Sequence, residues 1–258
     1  MISTKFKIVI PARFGSSCLP GKPLLDIAGK PMIWHVYKQA CKTNIDNQDI
    51  VIATDNQEIF DCASGFGARV VMTKESHESG TDRLAEVVTK LDWHDDDIIV
   101  NLQGDEPLIT PDVIQLTATT LANNAQAGMA TLACNLDNEA QLHDPNCVKL
   151  VCDQANRAMY FSRAAIPFAR DGVNSALFDS VESPWLRHIG MYAYRVKTLK
   201  QLSQLPVILL EELEKLEQLR ALWHGISIQV ACVAKAPGDG VDTADDLNRV
   251  REILLNAQ

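Results

Sequence analysis

The sequence has no long apolar run. None approaches the ~20 residues that cross a bilayer, so no membrane insertion is expected. The N-terminus, Met1-Ile2-Ser3-Thr4-Lys5-Phe6-Lys7, leads toward a strand and lacks a secretory-signal pattern, so a cytoplasmic location is expected. Basic charge is also short. The net charge of −9 argues against general nucleic-acid binding, which needs a broad basic surface. It leaves room for a nucleotide whose phosphates meet a local cation cluster and a divalent ion. The seven cysteines are odd in number and contain no Cys-x-x-Cys pair. Cys147 and Cys152 would face opposite sides of a strand, so free thiols in a reducing compartment are expected. The histidines show no His-Glu-x-x-His spacing, and no zinc site follows. A Gly-x-Gly-x-x-Gly fingerprint is absent, which disfavours a nicotinamide oxidoreductase. Internal repeats, low-complexity tracts and a clean interdomain linker are missing too.

What is present reads as a soluble α/β protein. Apolar content of 47% and charged content of 22% are ordinary for a globular chain, and 258 residues can bury a sizeable core. Short apolar runs at Lys7–Ile10, Asp49–Ala53, Arg69–Met72 and Ile98–Leu102 predict buried parallel strands. Helices are expected between them: Pro31 to Lys42, Thr81 to Leu91 with Leu84, Val87, Val88 and Leu91 on one face, and Pro111 to Asn124. The alternation implies a mostly parallel central sheet covered on both sides, with ligands at the carboxyl edge of its strands. After about residue 127 the pattern changes. Met129–Asn135 and Ile189–Tyr194 read as strands, and Cys147–Cys152 with Ala158–Phe161 as a hairpin. Together they predict an antiparallel insertion. Arg170–Pro184 reads as a polar, mobile loop. Glu211–His224 reads as one helix carrying Leu213, Leu216, Leu219 and Trp223 along one side, capped by Gly225. Ile226–Val233 returns as a strand. Thr243–Asn256 closes the chain as a helix with Thr243 at its N-cap.

The first strand runs straight into Pro11-Ala12-Arg13-Phe14-Gly15-Ser16-Ser17-Cys18-Leu19-Pro20-Gly21-Lys22-Pro23. A glycine-containing turn with two basic residues at that place suits phosphate, because exposed N–H groups and cations bind oxygen anions. It is not a Walker A loop. Five residues separate Gly15 from Gly21 instead of four, and Pro23 follows Lys22 where Ser or Thr is required.

Other candidates sit where strands end. Gln103-Gly104-Asp105-Glu106-Pro107 follows the fourth strand, and Asp105 reads either as a ligand for a hard cation or as part of a turn. Gly240-Val241-Asp242-Thr243 precedes the last helix, and Asp242 reads the same two ways. Ala53-Thr54-Asp55 lines a base or ribose pocket or makes a turn. Ser79-Gly80-Thr81 presents N–H and hydroxyl groups to a ligand or only caps a helix. Arg163 and His188 put cations near strands that a small acidic substrate would suit. Glu217 and Gln218, on a helix face, are within reach of a sugar hydroxyl.

Nine motifs occur in order over about residues 7 to 254. They are Pro-Ala-Arg…Leu-Pro-Gly-Lys-Pro, Gly-Lys-Pro-Met-Ile, Ala-Thr-Asp, Ser-Gly-Thr-Asp-Arg, Gln-Gly-Asp-Glu-Pro, Tyr-Phe-Ser-Arg, Leu-Arg-His-Ile-Gly, Leu-Glu-Lys-Leu-Glu-Gln-Leu-Arg and Gly-Val-Asp-Thr. In these the chain closely resembles the 3-deoxy-manno-octulosonate (Kdo) cytidylyltransferase family. The resemblance implies a Rossmann-like nucleotidyltransferase fold, a homodimer and dependence on Mg²⁺. It implies the reaction CTP + Kdo → CMP-Kdo + pyrophosphate, which activates Kdo for the lipopolysaccharide inner core. It further implies that Arg13 and Lys22 neutralise the CTP phosphates and that Asp105 and Asp242 hold Mg²⁺. Ala12, Ala53, Thr54, Asp55, Ser79, Gly80 and Gln103 would border the nucleotide. Gln103, Arg163, His188, Tyr192, Glu217 and Gln218 would surround Kdo. Residues 1–126 and 226–258 would form the nucleotide-binding core, and 127–225 the sugar-binding and dimerisation part. One departure stands out: Cys18 occupies a position where the family pattern has Arg. An amino analogue of Kdo as substrate, and a sugar- or nucleotide-binding regulator without catalysis, are the alternatives.

Overall fold

The computed structural model describes residues 4–15, 19–77, 79–180, 182–238 and 240–256. Cys18 lies outside the described residues. In chain order the strands are Lys7–Ala12 (β1), Asp26–Ile27 (β2), Lys30–Pro31 (β3), Ile50–Thr54 (β4), Arg69–Met72 (β5), Ile98–Asn101 (β6), Met129–Asn135 (β7), Lys149–Cys152 (β8), Ala158–Ser162 (β9), Leu186–Arg195 (β10) and Ile228–Cys232 (β11). The α-helices are Met32–Cys41 (α1), Gln57–Gly65 (α2), Gly80–Lys90 (α3), Pro111–Ala122 (α4), Glu139–His143 (α5), Val196–Leu202 (α6), Leu209–Glu214 (α7), Gln218–Trp223 (α8) and Ala244–Asn256 (α9).

One sheet runs β11-β7-β10-β6-β1-β4-β5, with β8 added to β10 and β9 to β8. The pairs β1–β4, β4–β5, β1–β6 and β11–β7 are parallel. Strand β10 runs against both neighbours, β6 and β7. Strands from the chain's first and second parts therefore share one sheet, and the antiparallel features sit where β10, β8 and β9 join it.

The period-two alternation of β1 explains the layering. Ile8 and Ile10 point to one face and pack with Ile33 and Val36 of α1 and Ile114 of α4. Val9 points to the other and packs with Leu84, Val87 and Val88 of α3 and Leu199 of α6. Strands β4 and β6 are buried along their whole length because helices cover both faces. Each such aliphatic side chain contributes about 1.5–3 kcal/mol when fully buried.

Two expectations are corrected. The helix expected over 211–224 is two helices. Lys215 adopts a left-handed φ of 53° between α7 and α8. The break removes the continuous stripe: Leu216 and Leu219 are buried, while Leu213 and Trp223 are exposed. The bidentate Arg220–Glu211 pair, at 2.7 and 2.9 Å, ties the two halves together. The segment expected as a polar loop over 170–184 holds a 3₁₀ turn at Ser175–Leu177. Its Phe178 is buried against Trp185, with ring centroids 4.9 Å apart. The sequence pattern also missed α2, whose start is signalled by Asn56 accepting a hydrogen bond from the Ile59 N–H.

The chain leaves β1 toward β4 on one side, and β6 lies on the other. That change of direction opens a crevice beyond the carboxyl ends of β1 and β6, where ligands of open α/β sheets bind. The backbone there is close-packed. A Cβ on Gly104 would stand 2.7 Å from the Pro11 carbonyl oxygen, so only glycine lets the loop after β6 lie against the end of β1.

Candidate active site

The loop after β1 is closed by the Gly21 N–H donating to the Phe14 carbonyl at 3.0 Å. Gly21 has a φ of 67°, a conformation suited to glycine. The next residue, Lys22, reaches across the crevice. Its Nζ donates to Asp105 Oδ2 at 2.6 Å, to the Val241 carbonyl at 2.9 Å and to Asp242 Oδ1 at 3.1 Å. Burial would lower the Lys22 pKa, but the two carboxylates outweigh it and hold the ammonium above its ordinary value. The two acidic loops are also joined directly, because the Val241 N–H donates to the Asp105 carbonyl at 2.9 Å. Thr243 caps α9 as expected. Its Oγ1 accepts from the Asp246 N–H, and Asp246 Oδ2 accepts from the Thr243 N–H.

Beside this cluster lies a cavity of about 410 Å³. Ala12, Arg13 and Lys22 line one end, and Gln103, Asp105 and Asp242 line the edge of the sheet. Ser79 and Gly80, at the start of α3, form the facing wall. Ser79 does cap α3, accepting from the Asp82 N–H at 3.2 Å. Capping and lining are thus combined in one residue. A second cavity of about 260 Å³ shares Pro11, Gly80, Gln103 and Glu217 with the first, so the two adjoin. Tyr192 and Gln218 line the second. The break after α7 sets Glu217 between the cavities, where its Oε2 accepts from Thr81 Oγ1 at 2.9 Å. Burial raises the Glu217 pKa, opposed by that bond and by Arg220.

Other expected residues are placed elsewhere. Ala53 and Thr54 are buried inside β4 and line neither cavity. Asp55 Oδ2 is taken by Arg83 Nη2 at 2.6 Å. Arg163 holds the Glu214 carbonyl at 2.7 Å and the Pro145 carbonyl at 2.8 Å, anchoring the end of α7. His188 stands between Phe161 and Tyr192, with Nε2 3.1 Å from Thr131 Oγ1. Burial lowers its pKa to about 3, so the ring is neutral rather than the expected cation.

The sequence reading missed His77 and Arg83, both in the wall of the larger cavity. His77 is held by Glu86 Oε2 at 2.5 Å. Burial would raise the Glu86 pKa, but the Lys74 N–H, Lys90 and His77 bring it down to about 2. Two signals for Arg83 were available: it closes the motif Ser-Gly-Thr-Asp-Arg, and it lies on the buried face of an amphipathic helix, where a guanidinium requires a partner.

Glu106 gives a pH test. Burial, with Asp105 and Asp242 nearby, raises its pKa to about 8. A carboxyl whose folded pKa exceeds its unfolded value binds a proton in the native state that the unfolded state releases. Its cost to stability is therefore absent at low pH and grows as pH rises toward 8. Glu106→Gln is expected to raise the melting temperature more at pH 8 than at pH 5. Equal effects at both pH values would contradict this.

Among the described residues no group of three or more His, Cys, Asp or Glu is arranged to hold a metal ion. Asp105 and Asp242 are two oxygen donors converging on one ammonium. Two carboxylates completed by ligand oxygens are what a hard divalent cation takes. The site thus offers two cations and two acidic groups at one end, and a smaller compartment of about 260 Å³ at the other.

A family model described as Cytidylyltransferase matches residues 7–228. The chain is similar to 3-deoxy-manno-octulosonate cytidylyltransferase 2 of Actinobacillus pleuropneumoniae serotype 5b, at 51% identity over 98% of this chain and 99% of that one. It is similar to the 3-deoxy-manno-octulosonate cytidylyltransferase of Thioalkalivibrio sulfidiphilus, at 50% identity over 96% and 98%. Among solved structures it resembles CMP:2-keto-3-deoxy-manno-octonic acid synthetase complexed with CTP. That match has a TM-score of 0.88 and 42% identity, covering 98% of this chain and 100% of the other.

Proposed function

Because the chain belongs to the cytidylyltransferase family, and within it to the 3-deoxy-manno-octulosonate cytidylyltransferases, we propose that it joins CTP and Kdo to give CMP-Kdo and pyrophosphate. It is a nucleotidyltransferase with a Rossmann-like fold. The observation that carries the reading is Lys22 bridging Asp105 and Asp242 beside two adjoining cavities. Those cavities are the room that two substrates meeting end to end require.

In this reading the triphosphate lies in the larger cavity. Arg13 and Lys22 offset its charge, and Ser79 and Gly80 at the start of α3 border the nucleotide. The sugar acid occupies the second cavity, with Gln103 and Glu217 at the junction. The anomeric hydroxyl attacks the α-phosphorus in line, the bond to the β-phosphate oxygen breaks, and pyrophosphate leaves. Positioning and charge stabilisation carry the step, with no covalent enzyme intermediate. Mg²⁺ would be held by Asp105 and Asp242, whose oxygen-only donor set fits it. When bound it would neutralise phosphate charge and acidify a hydroxyl.

The same proposal places the protein in the cytoplasm, supplying activated Kdo for the lipopolysaccharide inner core. No helix among the described residues is long and apolar enough to cross a membrane. It also makes the protein a homodimer. The support is a set of exposed apolar side chains, Met159, Leu209, Leu213 and Trp223, within 127–225. The regulator without catalysis is not favoured, because Lys22 and both carboxylates are in place.

The test is pyrophosphate release with Mg²⁺ across the four nucleoside triphosphates, with and without Kdo. Release confined to CTP with Kdo is expected. Binding of both without release would overturn the proposal.

A further inference from the structure

Three buried side-chain atoms lack a well-formed hydrogen bond among the described residues: Asn101 Oδ1, Gln218 Nε2 and Tyr192 OH, for which the Thr131 side chain is the neighbouring polar group. All three belong to residues lining the second cavity. An unpaired buried polar atom is costly and rare in a native protein, so three in residues lining one cavity point to a partner from outside the protein, a ligand or ordered water. They come from two walls. Asn101 ends β6 and lies opposite Tyr192 of β10 in the sheet register. Gln218 opens α8 across the cavity. One atom is an acceptor, one a donor, and one a hydroxyl that is both. That set complements a compact molecule with several hydroxyl groups and matches no apolar occupant.

Tyr192 and Gln218 were already expected beside the sugar. Asn101 was not. It lies between Val100 and Leu102, which are fully buried, and carries no positive charge to attract a carboxylate. It ends β6, two residues before Gln103. Gln103 borders both cavities, but Asn101 borders only the second. Its Oδ1 finds no donor among the described residues, so a donor brought in by a ligand or by an ordered water would satisfy it.

We propose that Asn101 is a specificity-determining residue for the acceptor sugar: its Oδ1 accepts a hydrogen bond from one hydroxyl of the bound sugar acid. The inference rests on the CTP–Kdo reading above. A site with a buried acceptor rejects an analogue that lacks the matching hydroxyl, because the acceptor is then left unpaired. Asn101 acts away from the triphosphate, so it governs the sugar and not the nucleotide.

The experiment is steady-state pyrophosphate release by the wild type, Asn101→Ala and Asn101→Ser. Each is assayed with Kdo and with a panel of analogues that each lack one hydroxyl. Asn101→Ala is expected to raise the KM for Kdo about 10-fold or more, with the KM for CTP unchanged. One analogue of the panel should be used equally poorly by the wild type and Asn101→Ala, which identifies the hydroxyl. Should the alanine variant not fold, Asn101→Ser reads the same ratios. An unchanged KM for Kdo, or an equal loss across every analogue, overturns the assignment of Asn101 while leaving the CTP–Kdo reading intact. A wild type inactive on CTP and Kdo overturns that reading and this inference with it.

Discussion

Asp105→Asn and Asp242→Asn are each expected to lower pyrophosphate release at least ~100-fold, the scale of losing one preorganised charge-stabilising group, with little change in melting temperature. The two halves of that expectation have separate grounds. An amide keeps the shape of the carboxylate and an oxygen that accepts from Lys22, but removes the negative charge a cation requires. The loops themselves are held by other atoms. The backbone carbonyl of Asp105, not its carboxylate, takes the Val241 N–H. The cap of α9 is made by Thr243 and Asp246, without the Asp242 side chain. Asp242 is also 79% exposed, so its removal leaves no buried group unpaired. Thermal unfolding measured beside the assay separates the two halves. Near wild-type release from either variant would remove the carboxylates from the mechanism. A large fall in melting temperature would mean they act through the fold.

Arg83→Met is expected to act in the opposite way, on stability first. The Arg83 guanidinium and the Asp55 carboxylate are 3% and 10% exposed and 2.6 Å apart. Arg83 also donates to Thr73 Oγ1, while the Thr73 N–H donates to the Thr54 carbonyl at 2.8 Å. This network joins the ends of β4 and β5 to the start of α3, the wall of the larger cavity. Removing one partner of a buried pair leaves an uncompensated charge, which costs about 3–5 kcal/mol. At ~2–4 °C per kcal/mol for chains of about this size, the melting temperature should fall by roughly 10 °C. Asp55→Leu combined with Arg83→Met should recover much of that loss, since neither charge remains. A single Arg83→Met variant that melts with the wild type would show that the pair contributes nothing. The double variant should still bind CTP more weakly, because Arg83 borders the nucleotide cavity.

Much of the architecture was legible residue by residue. The predicted bounds of β5 and β7 match the observed ones, and Pro111 and Thr243 mark helix starts where proline and capping chemistry place them. Strong local signals of this kind depend on neighbours a few positions apart. The reading failed where a local signal competed with a distant one. Leu213, Leu216, Leu219 and Trp223 have helical spacing, yet Lys215 turns left-handed so that Leu216 enters the core and Glu217 reaches Thr81, a contact 136 positions away. His188 and Arg163 looked like free cations. Burial neutralises one, and backbone carbonyls occupy the other.

Alone, the order of motifs determined the family, the mostly parallel α/β class and the strand ends at which chemistry would gather. The family rests on the resemblance that those motifs carry, while the class and the strand ends follow from short apolar runs, turn residues and charges, which are written locally. Only the tertiary structure decided that Lys22 meets Val241 and Asp242 across separations of 219 and 220 residues. It alone set two cavities side by side at Gln103 and Glu217 and left Asn101 unpaired inside one of them. Which distant groups meet is set by packing the whole chain at once. No periodicity within a single segment records that outcome.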